Sequence, residues 1–150
     1  MRIVIASDHA GFELKEAVKG HLVAEGHMVT DAGPDSPEPV DYPLYAEKVA
    51  RPVARGEADF GVLVCGTGLG MAIAANKVRG VRAVAVTDPE FARASRAHND
   101  ANVIALAGRH TDAPTAARIV DTFLATPFEG GRHGRRVEQM ARIENGDWVS

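Results

Sequence analysis

At 150 residues, with 45% hydrophobic and 25% charged residues, the chain has the make-up of one ordinary globular domain with a real core. A net charge of -3 gives no electrostatic case for binding nucleic acid or a membrane, and a single cysteine excludes an internal disulfide, which suits a reducing cytoplasm. No apolar run approaches membrane-spanning length, and the opening stretch before Asp8-His9 is too short to read as a signal peptide.

In chain order, 3–6 is an apolar first strand. It leads through Gly11 into a helix over 12–23, where Phe12, Leu14, Val18 and Leu22 recur at roughly helical spacing. A short second strand at 27–30 follows Gly26, then a loop over 31–39 rich in Pro, Asp and Gly. A second helix is expected over 43–55, with Pro52 predicting a kink or an early stop. The run 60–64 reads as a buried parallel strand, followed by a glycine turn and a helix to about 78. Strand four is expected over 81–86. Thr87-Asp88-Pro89-Glu90 then resembles an N-cap with proline just inside, opening a helix to about 97. Strand five is expected over 102–107, a helix over 113–125, and a last helix over about 135–143. The alternation predicts a single domain over 1–150 with a Rossmann-like three-layer α/β/α sandwich, a five-stranded parallel sheet and a C-terminal helical extension.

The chemistry gathers where the strands end. Cys65-Gly66-Thr67-Gly68-Leu69-Gly70 is a strand-to-helix turn at a carboxyl strand end, where α/β sheets place ligands. Its glycines let backbone N–H groups approach an anion, and a cysteine beside a helix N-terminus is a candidate base or nucleophile. Asp8-His9, Thr87-Asp88 and Gly108-Arg109-His110 end other strands on the same edge. His98-Asn99-Asp100 instead ends a helix, so a site that uses it needs a second subunit. Taken singly, each residue has a plainer reading. Asp8 suits an N-cap, His98 a helix C-terminus, Cys65 a small buried side chain, and Arg132 with Arg136 a solvated face. A dinucleotide loop is disfavoured, because Met71 stands where the third glycine of G-x-G-x-x-G belongs and the first turn holds Asp8-His9, although Asp88 lies at about the spacing of a ribose-binding acid. A cysteine-phosphatase loop is disfavoured as well, because it would want an arginine where Met71 stands.

The constellation resembles the ribose-5-phosphate isomerase B family, which includes galactose-6-phosphate isomerase subunits. The resemblance runs from Ile3 to about Ile143. It is carried by Ser7-Asp8-His9-Ala10-Gly11-Phe12, Asp41-Tyr42-Pro43, the 65–70 turn, Ser95-Arg96-Ala97-His98-Asn99-Asp100 and Phe128-Glu129-Gly130-Gly131-Arg132-His133 followed by Arg136. It implies a metal-free, cofactor-free isomerisation of a sugar phosphate through a cis-enediolate. Cys65 would be the base, with the amides around Gly66, Gly68, Leu69 and Gly70 holding the oxyanion. His98 would open the furanose ring, helped by Thr67 and Asp8. Arg132 and Arg136 would clamp the phosphate with His9 and Arg109 nearby, and Tyr42 and Asn99 would line the sugar. A branch that places a glutamate after the last glycine is not matched, since Met71 stands there. The resemblance also implies a homodimer, or a dimer of dimers, with shared sites to which the partner supplies His98, Asn99 and Arg109. A four- or six-carbon sugar phosphate and a non-catalytic α/β ligand-binding module are the rival readings.

Overall fold

The structure is a computed structural model that describes residues 1–147; the last three residues of the expected domain lie outside the described residues. Five strands, β1 (Arg2–Ser7), β2 (Met28–Asp31), β3 (Phe60–Cys65), β4 (Ala83–Ala85) and β5 (Val103–Ala107), alternate with six helices. These are α1 (Phe12–Ala24), α2 (Tyr42–Ala54), α3 (Leu69–Ala75), α4 (Pro89–Asn99), α5 (Ala113–Ala125) and α6 (Arg132–Glu144). The strand pairings are parallel, in the order β2-β1-β3-β5-β4. Leu14, Val18, Ala92 and Phe123 bring α1, α4 and α5 onto one face, while Val49 and Met71 bring α2 and α3 onto the other. Covered on both faces, β3 and β5 are nearly or wholly buried, which is why they read as unbroken apolar runs. The Rossmann-like three-layer expectation holds.

From β1 the chain steps outward to β2, then crosses back past β1 to β3 on its other side, so the winding reverses between β1 and β3. That reversal opens a crevice at the carboxyl ends of β1 and β3, where doubly wound sheets hold their ligands. Asp8-His9 and the Cys65–Gly70 turn flank it.

Four boundaries differ from expectation, each for a local reason. β4 is three residues rather than six: just before it the Arg82 N–H goes to the side chain of Asn102 at 2.8 Å, and along its outer edge the side chain of Asn76 takes both the N–H and the C=O of Ala83, at 2.7 and 2.8 Å. This blunts the outer edge of the sheet. With Asn76 so engaged, α3 stops at Ala75. α2 continues through Pro52 to Ala54, since the proline falls in its last turn. α6 begins at Arg132, directly after Gly130 and Gly131 in positive φ, and runs on through Gly134.

Candidate active site

At the end of β3, the buried Cys65 sulfur accepts a hydrogen bond from Gly68 N–H at 3.1 Å. A backbone donor aimed at sulfur binds a thiolate more strongly than a thiol. Gly68 sits at φ 79° beneath the backbone of β5; an added Cβ would lie 3.1 Å from the Ala105 carbonyl oxygen, so the tight return needs glycine twice over. Leu69 N–H reaches Thr67 Oγ1 at 3.3 Å. Among the described residues, the N–H groups of Gly66, Thr67 and Gly70 have no hydrogen-bond acceptor, which leaves them for a ligand oxygen.

Three neighbours close around this loop. Tyr42, first residue of α2, lays its ring over Gly70, where a Cβ would stand 2.7 Å from the ring and 3.1 Å from the hydroxyl. Arg109 rests its guanidinium beside Gly66 of the same chain, and its N–H donates to the Gly66 carbonyl at 3.1 Å. Within one chain Arg109 thus lies beside the loop that carries Cys65. Across the crevice Asp8 is buried, and its Oδ1 accepts Gly11 N–H at 3.0 Å; the N-cap of α1 is Gly11 itself, so Asp8 braces the turn before the helix and is not the N-cap expected of it. His9 Nδ1 accepts Val40 N–H at 3.2 Å, which puts the ring proton of the neutral form on Nε2. Among the described residues, the buried hydroxyls Ser7 Oγ and Thr111 Oγ1 have no hydrogen-bond partner.

The loop over 32–41 that brings Val40 and Tyr42 to the crevice is tied down by a lysine invisible to pattern reading. Lys15 of α1 is fully buried, and its Nζ bonds both carboxylate oxygens of Asp31, at 2.8 and 3.0 Å, and Pro34 O at 3.0 Å. Burial of Asp31 opposes its ionisation, but the bonds from Lys15, Lys19 and Gly33 N–H outweigh it and hold the carboxyl below its ordinary range.

The other expected residues lie elsewhere. α4 runs back against the strands, so His98 and Asn99 sit before the start of β5 while Cys65 is level with its last residue, Ala107. Four strand steps make that separation roughly 13 Å along the sheet. α6 packs on α4, and His133 stacks on His98 with ring centroids 4.4 Å apart and planes at 14°. Arg132 and Arg136, one turn apart, share this end of α6, so the expected clamp sits with His98 and not with His9 and Arg109. Burial first, then the positive charge of His98, Arg132 and Arg136, hold His133 below the ordinary imidazole value. Asn99 faces a cleft of about 340 Å³ between α6 and the β4 edge.

His98, Glu129 and His133 each present a ligand atom within 4.8 Å of the others. Stacked rings direct their lone pairs side by side instead of toward one point, and the two arginines make the spot better suited to an anion than to a cation.

The chain thus gathers Asp8, His9, Tyr42, Cys65, Thr67 and Arg109 around the crevice at the ends of β1 and β3. It gathers His98, Asn99, Arg132 and Arg136 where α4 ends against the start of α6.

Comparison with known proteins matches the Ribose/Galactose Isomerase family over residues 3–140. The chain belongs to that family. Ribose-5-phosphate isomerase B of Escherichia coli K12 is 49% identical over 143 residues, covering 95% of this chain and 96% of that protein. The crystal structure of a ribose 5-phosphate isomerase from Thermotoga maritima is 56% identical and superposes with a TM-score of 0.92, covering 93% of this chain and 97% of that one. Ribose-5-phosphate isomerase B of Mycoplasma genitalium, solved with bound ribulose-5-phosphate, is 43% identical with a TM-score of 0.92 and 95% coverage of both chains. The five-stranded parallel sheet is thus the family's fold, as expected.

Proposed function

We propose that this chain is an aldose–ketose isomerase that interconverts ribose 5-phosphate and ribulose 5-phosphate in sites shared between two copies of itself. The observation that carries the reading is the sulfur of Cys65, fixed by Gly68 N–H at the switch point of the sheet, beside amides with no acceptor among the described residues. Family membership and a relative solved with ribulose-5-phosphate supply the substrate class.

The chemistry follows from those positions. His98 passes a proton to the ring oxygen as the O1 hydroxyl proton leaves, which frees the aldehyde. Cys65, as thiolate, takes the C2 proton; the electron pair moves through C1–C2 onto O1, giving a cis-enediolate. The amides of the glycine turn bind that developing charge, where preorganised donors contribute most. The O2 proton moves to O1 and the thiol returns its proton to C1, completing the ketose. Thr67 and Asp8 border these transfers, Tyr42 and Asn99 enclose the sugar, and His9 and Arg109 add donors on the Cys65 side. Arg132 and Arg136 suit a dianionic phosphate. Within one chain Cys65 is level with the last residue of β5 while α4 ends before its first, an offset of roughly 13 Å along the sheet, which supports pairing Cys65 with His98 of a second copy.

A turnover panel of four-, five- and six-carbon sugar phosphates tests the reading. Ribose 5-phosphate should give the highest kcat/KM, and Cys65→Ala should lower kcat by at least ~100-fold with the fold intact. A six-carbon preference overturns the substrate; a folded, fully active Cys65→Ala overturns the base.

A further inference from the structure

His98 sits on a helix end fixed by an ionic clasp that no step above uses. Asp100, directly after α4, is the one non-glycine residue with positive φ among those described (φ 48°, ψ 42°). Aspartate tolerates this conformation better than most side chains, yet it persists only where surroundings enforce it. Here they do. Its Oδ1 accepts Arg96 Nη1 at 2.8 Å, its Oδ2 accepts Arg82 Nη2 at 3.0 Å, and its carbonyl accepts Arg82 Nε at 2.8 Å. Arg96 is itself buried, donates to Ala101 O at 2.6 Å and Thr126 O at 3.3 Å, and lies over the Phe60 ring at 4.8 Å.

The clasp has a direction. Arg96 and Asp100, four apart, share one face of the last helical turn, and His98, two residues from each, falls on the opposite face. Pinning the inner face to β4 and the core therefore fixes the azimuth at which His98 leaves the helix. A partly buried ion pair of this kind contributes little net stability, so its value here lies in geometry.

We propose that Asp100, bridging Arg96 and Arg82, is a positioning residue that sets the placement of His98 for ring opening. The proposal rests on the ring-opening role assigned to His98. Ribose 5-phosphate is a furanose and must be opened. Ribulose 5-phosphate carries its phosphate on O5 and cannot close a furanose, so its C1 proton is removable without ring opening. The two steps can be read separately.

The experiment measures ribose 5-phosphate turnover and, in heavy water, deuterium wash-in at C1 of ribulose 5-phosphate, for wild type, Asp100→Asn, Arg82→Gln and His98→Asn. Asparagine keeps the tolerance for positive φ, removes the charge and turns one of the two acceptor oxygens into an amide donor, so one arginine arm of the clasp is lost. Asp100→Asn should lower ribose 5-phosphate kcat ~30-fold while wash-in stays within ~3-fold, the loss expected from displacing a group by less than an ångström. Arg82→Gln, cutting the less buried arm, should show the same split more weakly and carries the test if Asp100→Asn fails to fold. If both rates fall together, or neither falls, in folded Asp100→Asn while His98→Asn still splits them, the positioning role is refuted. If His98→Asn itself shows no split, the ring-opening role is what fails.

Discussion

Gly70→Ala isolates the packing of Tyr42 on the catalytic loop. A Cβ there would stand 2.7 and 2.9 Å from ring carbons of Tyr42 and 3.1 Å from its hydroxyl, whereas ordinary contact begins near 3.4 Å. The ring must therefore retreat by roughly 0.7 Å. It can, because Tyr42 is 40% exposed and ends a rotatable side chain, so the fold should survive with little change in Tm. The site should not be so tolerant. Displacements of about 1 Å at a reacting centre cost up to ~100-fold, so kcat/KM should fall ~30-fold, or about 2 kcal/mol of transition-state binding. Steady-state kinetics with ribose 5-phosphate would measure it, in wild-type and Tyr42→Ala backgrounds. Without the ring there is nothing to displace, so Gly70→Ala should be nearly silent in Tyr42→Ala. An equal loss in both backgrounds, or none in either, refutes the reasoning.

Arg132→Ala and Arg136→Ala should mainly raise KM, with inorganic phosphate losing potency as a competitive inhibitor in both; undiminished inhibition would make these arginines a solvated face. Inactive Cys65→Ala and His98→Asn chains, mixed under verified subunit exchange, should recover about a quarter of wild-type activity, because half the dimers are mixed and each has one intact site. His98→Asn mixed with Arg136→Ala should recover no more than the separate chains, since both lesions lie in one half-site. The Asp31 carboxyl, held below its ordinary range, contributes stability that is complete above the usual carboxylate range and is lost as pH falls through its lowered value. Acid denaturation of Asp31→Asn should therefore begin from a lower plateau and show a flatter acid limb than wild type; superimposable curves would count against the Lys15–Asp31 tie.

Apolar runs and turn glycines made the layers legible, because strands covered on both faces have to be continuous and apolar. The loop at 65–70 was legible for a similar reason, as only glycine fits under β5 at position 68. Residues that act through distant partners were less so. Lys15 reads as one charge on an amphipathic helix, and its burial depends on Asp31 and Pro34 arriving from the next unit. The grouping of Arg132 and Arg136 with His98 depends on where α6 docks, which no local pattern encodes. Arg96 and Asp100, four apart and opposite in charge around His98, did carry a signal, though only the fold shows that they are pinned inward.

The sheet order sets a sequence of assembly. β2 and β3 flank β1 and all three are synthesised first, but β4 pairs only with β5, which is made after it and inserts between β3 and β4. On a ribosome, β4 and α4 must therefore wait without a ladder partner until the last strand emerges. Gly108, just past the end of that strand, donates to the Cys65 carbonyl at 2.7 Å, and the backbone of Ala105 packs directly against Gly68. The 65–70 loop, encoded near the middle of the chain, thus acquires its packing surface only when the final strand slides home, so a nascent chain with its thiol already made has as yet no finished pocket to hold it.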